Sequence, residues 1–224
     1  MHGSTFGAGH EVPLLRYWAI AALLASIAAA ADYRIDCATR NLDEVNAIEL
    51  RPGDRLLFRA GCRWTGTLAP RGSGSDAAPI RMGRYGEGPP PIVDGGGAET
   101  AILLRNREFW EISDLEIVNN AAEPGVRRGV LVRAENLGRA LHHIYLRRLD
   151  IHHVKGKLGT DMISRCTGGI GFEVLTNKNL PASTISGSKA ATSTPWITWG
   201  STSIRTLART RAIRRGTNYG TPAS

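Results

Sequence analysis

The candidate side chains for proton transfer or anion binding are charged residues of the later segments of the sequence. General acid–base catalysis uses histidine, carboxylate or lysine groups that reach the reacting atoms. Arginine and lysine also neutralise anionic groups. The residues of these types that could form a site are Arg127, Arg128, Asp150, His152, His153, Lys155, Asp161 and Glu173.

Glu173 is the preferred candidate for a catalytic residue. It ends the run Gly168–Glu173, in which Ile170 and Phe172 occupy alternate positions. Successive side chains of a β-strand point to opposite faces. A strand with Ile170 and Phe172 inward would therefore present Glu173 on its outer face, available to a groove.

His152 and His153 are weaker candidates. Alternation along a strand points adjacent side chains to opposite faces, which makes neighbouring histidines a poor pair of metal ligands. Both are interpreted as solvated surface residues. The pairs Arg127-Arg128 and Arg147-Arg148 could contact an anionic ligand, but surface charge is the preferred interpretation.

The three cysteines do not form a metal-binding motif, because no C-x-x-C pair is present. Cys37 and Cys62 flank the first structured segment and could form a disulfide in an oxidising compartment. The alternative is two buried, unpaired thiols, and Cys166 is left over in either case. The run Asp94–Gly97 is interpreted as a turn, since no second acidic residue follows at calcium-ligand spacing. No cofactor is evident.

A short helix and several strands are predicted to position these residues. Asn41 can cap a helix over 41–48, with Glu44 three residues later as in a capping box and apolar residues on one face. Strand-like segments follow at Arg55–Phe58 and Trp64–Leu68. Beyond Pro79 the pattern becomes short alternating segments broken by Gly, Asn or Asp.

An internal repeat with a period of 34 residues sets the expected architecture. The aligned apolar pairs are Ile112 with Leu146, Leu115 with Leu149, and Ile117 with Ile151. Such a repeat indicates an all-β solenoid, whose stacked rungs form continuous inward ladders and whose first rung needs a cap. The helix over 41–48 is placed to be that cap. A β-sandwich is the alternative, disfavoured because hairpin turns of the Asn-Gly type are absent.

The segment Leu14–Ala31 has the order of a signal peptide. Arg16 precedes an apolar run, and small residues give an Ala-x-Ala site at Ala28/Ala30 or Ala29/Ala31. The apolar run is shorter than the roughly 20 residues that span a bilayer. We therefore expect export to the periplasm or the medium and no stable membrane span, with the true start codon nearer Leu14.

The formal net charge of +8 is a property of the C-terminal segment. No Asp or Glu occurs from Ser183 onward, where six basic residues lie; removing these from the 28 basic residues leaves 22 against 20 acidic ones. The six are Lys189, Arg205, Arg209, Arg211, Arg214 and Arg215. Because the rest of the chain is nearly neutral, no nucleic-acid partner is expected.

The body of the chain resembles bacterial right-handed parallel β-helix proteins of the pectate lyase-like superfamily over roughly Asp36 to Val174. The segments that carry the resemblance are Arg51–Leu68, Pro79-Ile80, Tyr85-Gly86, Ile92–Gly96, Trp110–Ile112 and Gly168–Glu173. The resemblance implies a few coils of a right-handed parallel β-helix behind an N-terminal capping helix. It specifies the fold and not the reaction.

The resemblance also implies a polysaccharide as the partner, with an acidic polysaccharide as one candidate. Lyases of this fold use a Lys or Arg base with Ca²⁺ or Arg on the uronate carboxylate, so Ca²⁺ is implied by resemblance alone. Hydrolases of this fold use paired carboxylates. The alternative is a non-catalytic, glycan-binding envelope or surface protein. Whether the chain is an enzyme, and its oligomeric state, stay open.

The composition changes abruptly after Lys178. The segment 179–224 is interpreted as a disordered basic tail, or as the product of a frameshift near the adenine-rich codons of Asn177–Asn179, because a neighbouring frame can encode a further rung. The chain would then be a truncated, inactive fragment. The predicted organisation is a signal peptide at 1–31, a cap and first coil at 32–78, coils at 79–178 and the tail at 179–224.

Overall fold

A computed structural model of the chain describes residues 29–38, 41–157, 167–176, 184–186, 189–192 and 209–210. Asp161, Cys166 and most of the predicted signal peptide lie outside these ranges. The helix α1 covers Leu42–Ala47. The strands are β1 (Asp32–Ile35), β2 (Arg55–Arg59), β3 (Arg63–Thr65), β4 (Ile80–Tyr85), β5 (Ile92–Asp94), β6 (Thr100–Arg105), β7 (Trp110–Ser113), β8 (Glu116–Asn119), β9 (Arg128–Glu135), β10 (Ala140–His142), β11 (Ile144–Val154), β12 (Gly168–Thr176), β13 (Thr184–Ser186), β14 (Lys189–Thr192) and β15 (Arg209–Thr210).

The strands form parallel sheets in which successive passages of the chain lie side by side. The first sheet contains β1, β2, β4, β7, the start of β11 and β14; the second contains β3, β5, β8 and the end of β11. The third sheet contains β6, β9, β12 and β15, and β10 pairs with β13. Every pairing among the described strands is parallel, which excludes the antiparallel β-sandwich for this part of the chain.

Inward side chains form ladders across the sheets, as the 34-residue repeat predicts. Ile112 pairs in register with Leu146, and Ile117 with Ile151, which confirms the alignment read from the sequence. These four side chains are at most 6% exposed. Each buried side chain of this size contributes about 1.5–3 kcal/mol, so the ladders stabilise the stacked rungs.

The helix α1 covers the start of the sheets. Asn41 caps it, because the Asn41 Oδ1 atom accepts a hydrogen bond from the Glu44 backbone N–H at 3.0 Å. Leu42 and Val45 are buried in the core. The Asn46 amide donates to the Thr67 carbonyl at 2.9 Å and accepts from the Ala69 N–H at 2.7 Å. The helix thus satisfies backbone groups that stacking leaves without a strand partner.

Cys37 and Cys62 form a disulfide with a Cα–Cα distance of 5.5 Å, within the usual range for such bonds. The bond ties the segment before α1 to the loop between β2 and β3. The described part of the chain contains no helix with the length and apolar character needed to cross a membrane.

The described residues of the segment 179–224 form three short strands. β13 pairs with β10, and β14 pairs with β11 with Ala190 opposite Leu146. The side chain of Ile185 in β13 is only 4% exposed. Most of this segment lies outside the described residues, so its disorder and the frameshift stay predictions.

Candidate functional site

The outer face of the second sheet brings two carboxylates together. Glu116 in β8 and Asp150 in β11 are register partners on adjacent parallel strands, whose backbones lie about 4.8 Å apart. Ile117 and Ile151, the next residues along, are buried in the core, so alternation places Glu116 and Asp150 on the outer face.

His152 contacts one oxygen of the Glu116 carboxylate. Its Nε2 atom lies 3.2 Å from Glu116 Oε1. The two side chains are 33% and 23% exposed, so solvent and a ligand can reach them. No hydrogen bond joins the second Glu116 oxygen to another described residue. The arrangement therefore offers an oriented carboxylate with one oxygen available for chemistry.

A β-bulge brings His153 to the same group. The register shifts between His152 and Val154, and His153 has a φ of 50°, in the left-handed region. The two imidazole rings are edge-on with centroids 4.7 Å apart, and their Nδ1 atoms are in hydrogen-bond contact. The expectation that alternation separates these histidines is wrong, because His153 is the extra residue of the bulge and its side chain is re-aimed.

In the turn beside this site, both oxygens of the Asp94 carboxylate accept hydrogen bonds. The Asp94 carboxylate accepts from Arg63 Nη1 at 2.7 Å and from the Gly96 N–H at 2.9 Å. Both oxygens are therefore engaged, as in an Asx-type turn. Among the described residues no group of three or more His, Cys, Asp or Glu side chains is arranged to hold a metal. With these contacts in place, Asp94 does not fit the calcium ion implied by the resemblance. Calcium binding elsewhere in the chain stays a prediction.

Glu173 lies in a charge network on the third sheet. Ile170 and Phe172 pack against the core, and the Glu173 side chain is 12% exposed. One of its oxygens accepts from Arg128, and the other accepts from Arg133 at 2.9–3.0 Å. Glu99 bridges the same two arginines, at 3.3 Å and 2.6 Å.

The network neutralises a fully buried arginine, since the Arg128 side chain has no exposed surface. Burial acts to lower the pKa of Arg133, but hydrogen bonds to Glu99 and the charge of Glu173 raise it above the usual value. A proton transfer through Glu173 would first have to break its arginine contacts. Its catalytic role stays a prediction.

The remaining candidates bind the backbone or lie elsewhere. The Arg127 guanidinium donates to the carbonyls of Gly97 and Glu123 at 2.9 Å and 2.7 Å. The Lys155 ammonium donates to the Ala122 carbonyl. Arg148 pairs with Asp114. These contacts order the connections between strands.

The outer face of the first sheet carries a stack of rings. His143 lies between Phe109 and Tyr145, with centroids 5.9 Å and 4.1 Å away, and the Arg147 guanidinium lies 5.0 Å from the Tyr145 ring. Glu111 binds His143 Nε2 at 3.0 Å. Neighbouring rings are tilted by 35° and 32°, and all three side chains are partly exposed.

Glu111 is the carboxyl group that binds this stack, and its pKa is lowered. Partial burial acts to raise the pKa of Glu111, but hydrogen bonds from His143 and Arg81, together with the charges of Arg81 and Arg147, lower it below 4.5. The carboxylate is therefore ionised under ordinary conditions and acts as an acceptor.

The sequence reasoning missed Glu116 as a partner for Asp150. The signal was present, because the 34-residue repeat that aligns Ile117 with Ile151 also aligns Glu116 with Asp150. The repeat was used for apolar residues alone. Applied to every position, it places the two carboxylates side by side.

No protein-family model and no curated protein matches the chain. Its structure is similar to two crystal structures of GH136 lacto-N-biosidase from Eubacterium ramulus, a selenomethionine derivative and the native protein. The TM-scores are 0.60 and 0.59 and the identities 24% and 23%, over 70% of this chain. The chain spans 34% of the length of those chains. The similarity shows a fold shared with glycoside hydrolases.

Proposed function

We propose that this chain is part of an exported, right-handed parallel β-helix protein that hydrolyses glycans, with Glu116 and Asp150 as the reacting carboxylates. The observation that carries the proposal is their register pairing on one outer face, with His152 bound to Glu116. Parallel strands joined by crossovers are right-handed in about 98% of cases.

Two adjacent carboxyl groups suit glycoside hydrolysis. One donates a proton to the glycosidic oxygen as the bond to the anomeric carbon breaks, and the other attacks that carbon or activates water. Glu116, whose Oε1 accepts from His152, is assigned the ionised role. Asp150, for which no hydrogen bond to a described side chain is present, is assigned the proton donor.

The shared fold supports a glycan as substrate, because the similar structures are lacto-N-biosidases. Since the chain spans 34% of their length, we propose that full activity needs further coils and expect only slow turnover from this chain. A groove across several rungs would bind a sugar chain along the stacking direction.

The test is a long incubation of the chain with neutral and uronate-containing oligosaccharides. Hydrolysis predicts new reducing ends without unsaturated ends, lost in Glu116→Gln and Asp150→Asn and kept in the control Glu87→Gln, which changes an exposed loop residue. Unsaturated ends would instead indicate a lyase. Product formation that survives both carboxylate variants would remove this site from the reaction.

A non-catalytic glycan-binding protein is the second candidate. The ring stack from Phe109 to Tyr145 favours it, because the edges of His143 and Tyr145 offer polar groups beside an apolar surface. Binding without turnover, weakened by Tyr145→Ala and unaffected by Glu116→Gln, would support it. The competing prediction for Glu173 is tested in the same assay with Glu173→Gln.

A further inference from the structure

We infer that His153 is a positioning residue: it fixes the tautomer of His152 so that an N–H, and not a lone pair, faces Glu116. The inference rests on the role proposed for Glu116, although its first test does not depend on activity. The bulge at His153 is the feature of the fold that makes the contact possible.

The chemistry of the imidazole ring links the states of its two nitrogens. A neutral imidazole carries one N–H and one bare nitrogen, and the partner of one nitrogen determines the state of the other. A carboxylate oxygen only accepts hydrogen bonds. The 3.2 Å contact between His152 Nε2 and Glu116 Oε1 is therefore a hydrogen bond only when the proton is on Nε2.

With Nε2 protonated, a neutral His152 has a bare Nδ1 that must accept a hydrogen bond. His153 Nδ1 is the atom in contact with it, so His153 supplies that proton. If His152 is instead an imidazolium, its own Nδ1–H donates to a bare His153 Nδ1. In both states one proton lies between the Nδ1 atoms and the Nε2–H still faces Glu116.

Two other arrangements of the protons on the histidine pair are unfavourable. A second proton between the Nδ1 atoms would set two N–H groups against each other. A His152 with its single proton on Nδ1 would turn a lone pair toward the Glu116 carboxylate. Glu116 and Asp150 are register neighbours, so the Nε2–H of His152 bears on the carboxylate of the residue paired with Asp150.

The test uses the whole chain with ¹⁵N-labelled histidine, because the ring ¹⁵N shifts report each tautomer. At neutral pH we expect His152 to carry its proton on Nε2. His153→Phe should raise the share of His152 that carries its proton on Nδ1, since the ring stays but the donor to Nδ1 is lost. Phenylalanine tolerates this backbone, as Phe109 has a φ of 57° here.

The rescue variant is His153→Asn. Asparagine is common in the left-handed region, and its side-chain N–H₂ can replace the Nδ1–H donor. We expect it to restore the Nε2–H tautomer. Unchanged spectra of the other histidines and an unchanged melting temperature show that each variant is folded.

The outcomes separate this inference from the proposed function. A His152 protonated on Nδ1, or a tautomer that His153→Phe leaves unchanged, overturns the inference. If the expected tautomers are observed but no hydrolysis occurs, the positioning role stands and the proposed function is overturned. Where hydrolysis is measured, His153→Phe should lower kcat at least fivefold with little change in KM, about 1 kcal/mol, and His153→Asn should recover most of it.

Discussion

Asp114 and Arg148 form a two-point ion pair at the corner between the first and second sheets. Arg148 Nε lies 2.6 Å from Asp114 Oδ1, and Arg148 Nη2 lies 2.7 Å from Oδ2. Both residues have left-handed backbones, with φ of 61° and 49°. They are 34 residues apart, so the same repeat that stacks the apolar ladders also stacks the corner and its charges.

The corner predicts different effects for two substitutions of Asp114. Asp114→Asn loses the charge pair but keeps a residue that favours the left-handed region. Asp114→Ala loses the charge pair and the preference for the left-handed region, and the strained backbone adds about 1 kcal/mol to the loss of stability. Urea unfolding should show Asp114→Ala less stable than Asp114→Asn by about that amount. Equal stabilities would show that the backbone conformation carries no cost.

The lowered pKa of Asp114 predicts a pH dependence of stability. The pKa is lowered mainly by the hydrogen bond from Arg148, so the unfolded chain binds this proton more readily than the folded one. The free energy of unfolding then rises with pH through this range. The contribution is present above the unfolded value of 3.8 and is lost as pH falls through the folded pKa.

Melting temperatures between pH 2 and pH 6 measure this effect, the range being roughly that over which carboxyl groups titrate. Glu111 acts in the same direction, since its pKa is also lowered. Arg148→Gln should reduce the slope because it removes the first cause of the Asp114 shift. A slope identical to that of the unmodified chain would show that the pair is not formed.

The charge network of the third sheet predicts a structural cost for removing Glu173. Glu173→Gln removes the carboxylate charge that binds both Arg128 and Arg133. The Arg128 side chain has no exposed surface. The expected loss is about 2 kcal/mol. Glu99→Gln is the matched control, because Glu99 is 53% exposed and its loss should cost under about 1 kcal/mol. A Glu173→Gln chain of unchanged stability would favour the catalytic assignment.

The disulfide predicts a stability that depends on the redox state. Cys37 and Cys62 are 25 residues apart, and closing a loop of this length stabilises a protein by about 3 kcal/mol. Reduction, or the double substitution of both cysteines by serine, should lower the free energy of unfolding by that order. Insensitivity to the reductant would support the alternative of two unpaired thiols.

The short strands after Lys178 predict that this segment contributes to the fold. A chain ending at Thr176 loses β13 and β14, including Ile185 at 4% exposure, whereas a chain ending at Thr192 keeps them. Burial of Ile185 alone is worth about 1.5–3 kcal/mol, so the shorter chain should be less stable by at least that amount. Equal stability of the two chains would support an unstructured tail.

The local and repeated features of this protein were predictable from the sequence. Asn41 and Glu44 define the helix start because capping depends on residues three apart. The alignment of Ile117 with Ile151 follows from the period alone, since stacked rungs place equivalent residues in register. These features depend on neighbours in the chain or on a constant spacing.

The histidine pair and the Glu173 network were not predictable in this way. A single bulge reverses the expected side of His153, and the preference for a bulge at that position depends on the neighbouring strand. Arg128 and Glu173 are 45 residues apart and do not share the 34-residue spacing. Their meeting depends on how long side chains pack across adjacent strands.

The sequence by itself determined the ladder of apolar residues, the capping helix and the register that sets Glu116 beside Asp150. Only the tertiary structure decided which charged groups are engaged and which have an available oxygen. Backbone periodicity fixes where a side chain begins, because strand spacing and alternation are regular. Where a long polar side chain ends depends on the partners it finds in three dimensions.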